Sequence, residues 1–222
     1  MRNWLICILC GIVGFVNAQE AKWELRKDKN DVKVYVRETP NSPFKELRMS
    51  YNVEASLNSI VALLQDVEAI PDWVYKCTES YLVKKVNQEE EYYYNLIDFP
   101  WPLSDRDLIV KNILTRDTVN NTMRSESWAA NDMVPEKEGV VRITDLHFWW
   151  EFTPKENGIV QIDYYLRSDP GGYLPAWIVN MAADQGPLQT IKRFRKTLKD
   201  PKYKNAKAVS YTHLTLPTIC SV

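Results

Sequence analysis

The sequence predicts an α+β fold, in which an antiparallel sheet is covered by a helix near the C-terminal end. Segments rich in aromatic and β-branched residues, joined by short polar connections, occupy residues 77–150 and predict an antiparallel meander. Apolar and polar residues then alternate over residues 162–167, which predicts another strand, and Pro170-Gly171-Gly172 ends it. Beyond this turn, apolar side chains recur at helical spacing over residues 177–198. A helix that closes over the sheet is therefore expected.

The remaining elements follow from the same patterns. Valines alternate with polar residues over 32–36 and predict a strand with one buried face, whose hairpin partner occupies residues 45–53. Ser56 can cap a helix over residues 57–66, and a second short helical turn follows near Pro71. The strands of the meander are expected at residues 79–86, 90–97, 107–115, 122–129 and 140–152.

Residues 1–18 have the layout of a secretory signal peptide. Arg2 precedes an apolar run over residues 4–16, and Val16-Asn17-Ala18 fits the small-residue pattern of a cleavage site. A membrane anchor is the alternative, but the apolar run has about 13 residues and a spanning helix needs roughly 20. We therefore expect an exported protein, periplasmic or secreted, whose mature chain begins at Gln19.

Residues 208–222 are expected to be foreign to the native chain. Residues 209–218 read VSYTHLTLPT, which is a translation of the reverse complement of a common transposase sequencing adapter. Residues 202–207 already have the composition of a solvated tail, and nothing after them has a helical period. A genuine terminal strand is the alternative. Residues 19–207 then form one domain, large enough to bury about 70% of the surface of its unfolded chain.

The charge and the cysteine content of residues 19–207 exclude several classes of function. Setting both ends aside removes one basic residue, Arg2, and leaves 27 basic residues against 29 acidic ones. Strong attraction to nucleic acid is not predicted for such a balance. Cys77 and His147 are the only cysteine and histidine of the domain, so no intrachain disulfide and no cysteine zinc cluster can form. No cofactor or metal is expected.

Three motifs occur in a fixed order along the domain. The first is Phe99-Pro100-Trp101-Pro102 with Ser104-Asp105-Arg106-Asp107, the second is Gly139-Val140-Val141-Arg142-Ile143, and the third is DPGGYLPAWIVN at residues 169–180. Together they resemble the START (StAR-related lipid transfer) domain family, and nearly the whole of residues 19–207 shares the resemblance. The exported, single-domain form looks like the bacterial branch of that family. Supporting matches are Trp23, Val32-Lys33-Val34-Tyr35 and Pro71-Asp72-Trp73.

The resemblance implies the helix-grip fold, a curved antiparallel sheet wrapped around a long C-terminal helix with a tunnel for one lipid between them. It also implies a non-enzymatic protein that binds a lipid or another hydrophobic small molecule. We expect a monomer that contacts membranes transiently. The C-terminal helix would act as a lid. Gly171-Gly172 would form its hinge, and Gly186-Pro187 would weaken or bend the helix.

Strand faces and the helix supply candidates for the tunnel wall. An arginine between the apolar Val141 and Ile143 is expected to be buried and paired, with Asp145 or Asp163 as its partner, or else to contact the ligand. Arg106 and Asp107 are interpreted as a structural pair, with a contact to a lipid head as the alternative. The candidate lining residues are Trp73, Tyr93, Arg142, Trp149, Tyr164, Trp177 and Met181.

Two departures from the family bear on the ligand. Members that bind phosphatidylcholine tend to carry arginine where this chain has Ile70, and members that bind sterols tend to carry arginine where it has Asn112. The resemblance therefore implies a hydrophobic ligand with a modest polar head, and it selects neither class.

Two other classes of function stay open at this point. One is an enzyme of the wider helix-grip superfamily, a cyclase or hydrolase acting on a hydrophobic substrate, in which His147 would work with Asp145 or Glu151. These three residues share one face of their strand, which a solvent-facing surface explains equally well. The other is an interaction module with a filled core. A cavity of several hundred Å³ would argue against the second.

Overall fold

The computed structural model describes residues 21–39, 42–175, 179–180 and 185–207. The predicted signal peptide, the adapter-like end and the candidate residues Trp177 and Met181 lie outside these ranges. No helix in the described ranges is long and apolar enough to cross a membrane.

One sheet dominates the described part of the chain, and it contains ten strands. Their order is β1-β2-β3-β10-β9-β7-β6-β5-β4, with antiparallel pairing along this path, and β8 pairs with β6 in parallel. The strands are Glu24–Lys29 (β1), Val32–Thr39 (β2), Ser42–Glu54 (β3), Cys77–Lys85 (β4), Glu90–Ile97 (β5), Arg106–Asp117 (β6), Thr122–Ala129 (β7), Val141–Arg142 (β8), Asp145–Pro154 (β9) and Ile159–Asp169 (β10).

The predicted strand at residues 140–152 is in fact two strands with different partners. Val141 and Arg142 pair with Arg106 and Asp107 at the start of β6, whereas β9 pairs with β7 and β10. The chain therefore changes partner at residues 143–144. Backbone bonds continue the parallel pairing to this point, since the amide of Ile143 donates to the carbonyl of Asp107 at 2.8 Å.

The α-helices occur in two parts of the described chain, between β3 and β4 and after β10. Helix α1 spans Leu57–Leu64, and the Ser56 hydroxyl caps it by accepting from the amide of Ser59 at 3.1 Å. Helix α2 spans Ile70–Trp73. The C-terminal helix spans Gln185–Thr197, and a short final helix, Pro201–Lys204, follows it.

Aromatic rings join the C-terminal helix to the sheet. The ring of Phe194 lies 5.2 Å from that of Trp73 on α2 and 5.8 Å from that of Trp150 on β9, measured between centroids. Phe194 is fully buried, and aromatic side chains of this size contribute most to core packing. At the end of the chain, the Tyr203 hydroxyl donates to a carboxylate oxygen of Asp66 at 2.7 Å. The helix is thus packed across the curved sheet, and the predicted α+β helix-grip fold is confirmed.

Candidate ligand-binding cavity

A cavity of about 400 Å³ lies between the concave face of the sheet and the C-terminal helix. The register places alternate residues on this face, so Leu146, Phe148 and Trp150 of β9 line the cavity together with Tyr164 and Leu166 of β10. Trp73 and Ile70 of α2 close one side, and the helix contributes Gly186, Pro187, Thr190 and Ile191. The space argues against an interaction module with a filled core.

The wall of this cavity carries no charged side chain among the described residues. Its polar members are neutral: Tyr93, Asn95 and Asn112 on β5 and β6, Ser125 on β7, and Tyr164 and Ser168 on β10 are examples. Burial raises the pKa of both Tyr93 and Tyr164 well above the ordinary value, which keeps the two phenols protonated at physiological pH.

Part of the polar wall is held together by internal hydrogen bonds. The amide nitrogen of Asn112 donates to the hydroxyls of Ser125 at 2.7 Å and Ser127 at 2.8 Å.

Glu91 lies on the same face of β5 as Tyr93, and its carboxyl is 3.8 Å from the ammonium group of Lys85. Burial raises the pKa of Glu91. Glu91 is outside the cavity wall.

Of the residues proposed from sequence to line the tunnel, Trp73, Tyr93 and Tyr164 are on the cavity wall. Trp149 is not. It lies on the opposite face of β9, where its ring stacks on that of Tyr165 at 5.7 Å and the guanidinium of Arg124 lies 4.3 Å from its centroid. The prediction for Trp149 is therefore wrong, because the phase of the alternation along β9 puts Phe148 and Trp150 inward.

Arg142 is buried and paired, as the sequence predicts, but its partner is Asp107. Its guanidinium donates to both carboxylate oxygens of Asp107, at 2.7 and 2.9 Å, and neither side chain is more than 4% exposed. It also donates to the carbonyls of Asn131, Val134 and Pro135 at 3.1–3.2 Å. The predicted partners Asp145 and Asp163 were wrong, and Arg142 is absent from the cavity wall.

Arg106 is correspondingly not paired with Asp107. Its guanidinium donates to the carbonyls of Ser104, Pro170 and Gly171, and it lies 4.4 Å from the ring centroid of Phe99. Arg106 therefore connects the loop that precedes β6 with the loop that follows β10. Phe99 and Ser168, which flank these loops, both line the cavity.

The glycines of the predicted hinge lie in this second loop. Gly171 and Gly172 have backbone φ angles of +67° and +66°, which residues other than glycine rarely adopt. At Gly171, a Cβ atom would also come within 3.1 Å of Val141. Gly186 and Pro187 lie at the N-terminal end of the segment Gln185–Thr197, and both line the cavity. Their roles as hinges stay a prediction.

The residues considered for acid–base chemistry lie away from the cavity. His147 is on the outer face of β9, where one ring nitrogen is 2.8 Å from the Glu126 carboxylate and the ring stacks on Trp128. Asp145 and Glu151 share this outer face by alternation. The proposed acid and base groups therefore do not converge on the space in which a hydrophobic substrate would lie.

Two large aromatic side chains project into solvent from the two loops that Arg106 connects. Trp101 is 92% exposed, and Tyr173 is exposed as fully as in an extended chain. Trp101 belongs to the loop before β6 and Tyr173 to the loop after β10, and Arg106 contacts both loops. Tyr173 is not among the site residues predicted from the sequence, although its position after two glycines in a loop was a usable signal.

The curved sheet, the helix across it and the apolar cavity between them define the chain as a helix-grip domain. It belongs to the START family, because the START domain model matches residues 7–204. The chain is 31% identical over 191 residues to an uncharacterized protein of Pseudomonas aeruginosa, with 86% of this chain and 93% of that protein covered.

Other relatives carry names that describe lipid transfer. The phosphatidylcholine transfer protein of Rattus norvegicus is 23% identical, with 78% of this chain and 81% of that protein covered. Among solved structures, a STAR-related lipid transfer protein fragment from Xanthomonas axonopodis matches at a TM-score of 0.74 and 30% identity, covering 79% of this chain and 98% of that one. Human STARD10 matches at a TM-score of 0.73 and 19% identity, covering 82% of this chain and 76% of that one. At this identity the match shows a shared fold and nothing more.

Proposed function

We propose that this protein binds one hydrophobic lipid in the cavity and serves in lipid transfer or sensing, without catalysing a reaction. The observation that carries the proposal is the apolar, uncharged space of about 400 Å³ between the sheet and the helix. A volume of this kind falls in the range of small-molecule sites, and burying apolar ligand surface contributes about 25 cal/mol per Å². The likeness to proteins named for lipid transfer supports the same function.

The C-terminal helix is proposed to open as a lid. A ligand enclosed between the sheet and the helix needs a way in, and Gly186, Pro187 and Thr190 of the helix are part of the wall. The positive φ angles of Gly171 and Gly172 support a turning point in the chain before the helix.

Native mass spectrometry of the purified, undelipidated protein tests the proposal. We expect a monomer that carries one lipid. If residues 1–18 are removed on export, the mass of the polypeptide should equal that of a chain that begins at Gln19. Denaturing the same sample should release the lipid for identification. A spectrum of ligand-free protein, together with no uptake of fluorescent acyl or sterol probes, would contradict the binding function. A polypeptide that retains residues 1–18 would contradict the prediction of export but not the binding function.

We further propose that Trp101 and Tyr173 contact the bilayer during transfer. Tryptophan and tyrosine favour membrane interfaces, since one end of each ring system is apolar and the other is polar. The two loops that carry them meet at Arg106, next to the cavity residues Phe99 and Ser168. A bilayer that received both rings would thus lie beside one end of the cavity.

Replacing both Trp101 and Tyr173 by alanine is expected to slow lipid transfer roughly tenfold, because burial of two aromatic rings in the interface is lost. Transfer of a fluorescent lipid between phosphatidylcholine vesicles measures this rate. Val119→Ala is the matched control, since Val119 is 91% exposed in the turn between β6 and β7. The double variant should bind the same lipid in solution as before. An unchanged transfer rate would exclude these loops as the contact.

A further inference from the structure

A groove of about 610 Å³ lies beside the cavity, between the C-terminal helix and the hairpin of β1 and β2. Lys27 and Lys29 of β1 form one wall, and they share a face of the strand because they pair with Val34 and Val32 of β2. Val32 and Ile191 are buried and form an apolar floor. Ile191 is the one described residue that lines both this groove and the cavity.

The C-terminal helix supplies the opposite wall of the groove. Lys192, Arg195 and Lys196 are three and four residues apart, so their side chains project from one face of the helix. Lys199, in the turn that follows the helix, extends the same row. Cations therefore follow the apolar floor on both sides.

The positive charge of the groove is concentrated in a domain whose acidic and basic residues nearly balance. Six cations line the groove, and no acidic residue is among its described lining residues. Four of the six form no ion pair with any described residue: Lys29, Lys192, Lys196 and Lys199. A cleft lined by charges of one sign raises the local concentration of oppositely charged groups. The groove is therefore suited to an anionic partner.

Arg195 is held in a fixed position at the centre of the helix wall. Its guanidinium donates to the backbone carbonyl of Asn52 at 2.8 Å and to that of Asn30 at 3.3 Å. Both carbonyls are neutral acceptors, so the positive charge of Arg195 is retained. A side chain that is already ordered loses little conformational freedom when a ligand binds.

Strand β1 adds a second feature, an open edge of the sheet. It is the first strand in the sheet order, and no described strand pairs with its other edge. An edge strand presents unpaired N–H and C=O groups with which an extended peptide can pair. Lysine on such an edge disfavours pairing with a second copy of the same strand, because the like charges repel. The same lysines favour a strand that carries carboxylates.

The groove lies far from the two aromatic side chains proposed to contact the bilayer. The carbonyl that Arg195 binds belongs to Asn52, which pairs with Gln161 near the start of β10. Tyr173 follows the other end of β10, which is Asp169. The distance along the strand from Gln161 to Asp169 is about 26 Å at roughly 3.3 Å per residue. A bilayer that received Trp101 and Tyr173 would thus leave the groove accessible to another protein.

We propose that this groove binds an acidic, extended segment of a partner protein. Side chains alternate along an extended chain, so one set of carboxylates would lie between the two rows of cations while the backbone follows β1. Apolar side chains of the segment would contact the floor. This site is separate from the lipid cavity, and the proposal holds whether or not the cavity carries a lipid.

Fluorescence anisotropy with the labelled peptide EVDVEVDV tests the proposal on the purified protein at about 50 mM salt, where surface charges are weakly screened. We expect binding of this peptide and none of KVKVKVKV. Lys192→Gln/Lys196→Gln should lower the affinity for the acidic peptide about three- to tenfold, the effect of losing two exposed ion pairs. Glutamine and lysine have similar helix propensities, so the helix should persist, which circular dichroism checks.

Lys33→Gln/Lys155→Gln is the matched control. Both lysines are exposed and lie outside the groove, and the change in net charge is the same. The affinity for the acidic peptide should stay at the wild-type value. An equal loss in both double variants would show that net charge alone attracts the peptide, and it would overturn the proposal.

Two further results bear on the site. Lys29→Gln changes the strand wall and should weaken the acidic peptide about twofold, the effect of one exposed pair, whereas an unchanged affinity would contradict a site between the two walls. Absence of peptide binding by the wild-type protein would overturn the proposal outright. If vesicles of phosphatidylglycerol then bound the wild type and not Lys192→Gln/Lys196→Gln, the groove would be a membrane site instead.

Discussion

Arg142→Leu is expected to lower the free energy of unfolding by about 3–5 kcal/mol, the range for breaking a buried ion pair by removing one partner. The Asp107 carboxylate is 1% exposed and would lose both of its bonds to the guanidinium. Three backbone carbonyls, at residues 131, 134 and 135, would lose their donor as well. The free energy of unfolding of a native domain is about 5–15 kcal/mol, so the expected loss is a large fraction of the total stability. Urea unfolding followed by tryptophan fluorescence measures it.

A second arginine on the same sheet provides the matched control. Arg167 pairs with Asp145 at 3.0 Å, but both side chains are about half exposed, so Arg167→Leu should cost less than about 1 kcal/mol. The double variant Arg142→Leu/Asp107→Leu should recover part of the loss, because no charge is then left unpaired in the core. A loss of less than about 1 kcal/mol in Arg142→Leu itself would show that the ion pair is not needed for the fold.

The Arg142 pair also shows how far the sequence predicts this structure. An arginine between valine and isoleucine predicts burial and a carboxylate partner, and both features are present. The identity of the partner depends on the parallel pairing of β8 with β6, which brings Arg142 beside Asp107. Nothing local to residues 141–142 signals this pairing, because the two strands are separated by more than 20 residues of chain. Long-range pairing therefore lies beyond what the pattern predicts.

Strand β9 shows a second limit of prediction from sequence, which concerns the face of the strand that is directed inward. The segment from His147 to Phe152 is aromatic on both faces, so alternation separates two sets of side chains without telling which set is inward. The outer set is stabilised by its own contacts, such as the stacking of Trp149 on Tyr165 and of His147 on Trp128. By contrast, the helix cap at Ser56 was predicted correctly, because capping depends only on residues within one turn.

Ser168→Trp is expected to lower the affinity for the bound lipid at least about tenfold by filling the cavity. Ser168 lies on β10 opposite Leu146, and both residues line the space of about 400 Å³. A tryptophan side chain covers roughly 150–250 Å² when buried, so it excludes a comparable part of the ligand surface. Every 60 Å² or so of apolar ligand surface left in water costs about a factor of ten in affinity. Titration of the delipidated variant with a fluorescent lipid measures the change.

Stability distinguishes a filled cavity from a damaged fold. An indole that enters existing space adds apolar contacts without displacing neighbours, so the ligand-free Ser168→Trp variant should be at least as resistant to urea as the wild type. Ser50→Trp is the matched control, because Ser50 pairs with Asp163 of β10 and lies on the outer face of the sheet. Lipid affinity should be unchanged there. If Ser168→Trp bound lipid as tightly as the wild type while remaining folded, the lipid would have to lie outside the cavity between the sheet and the C-terminal helix.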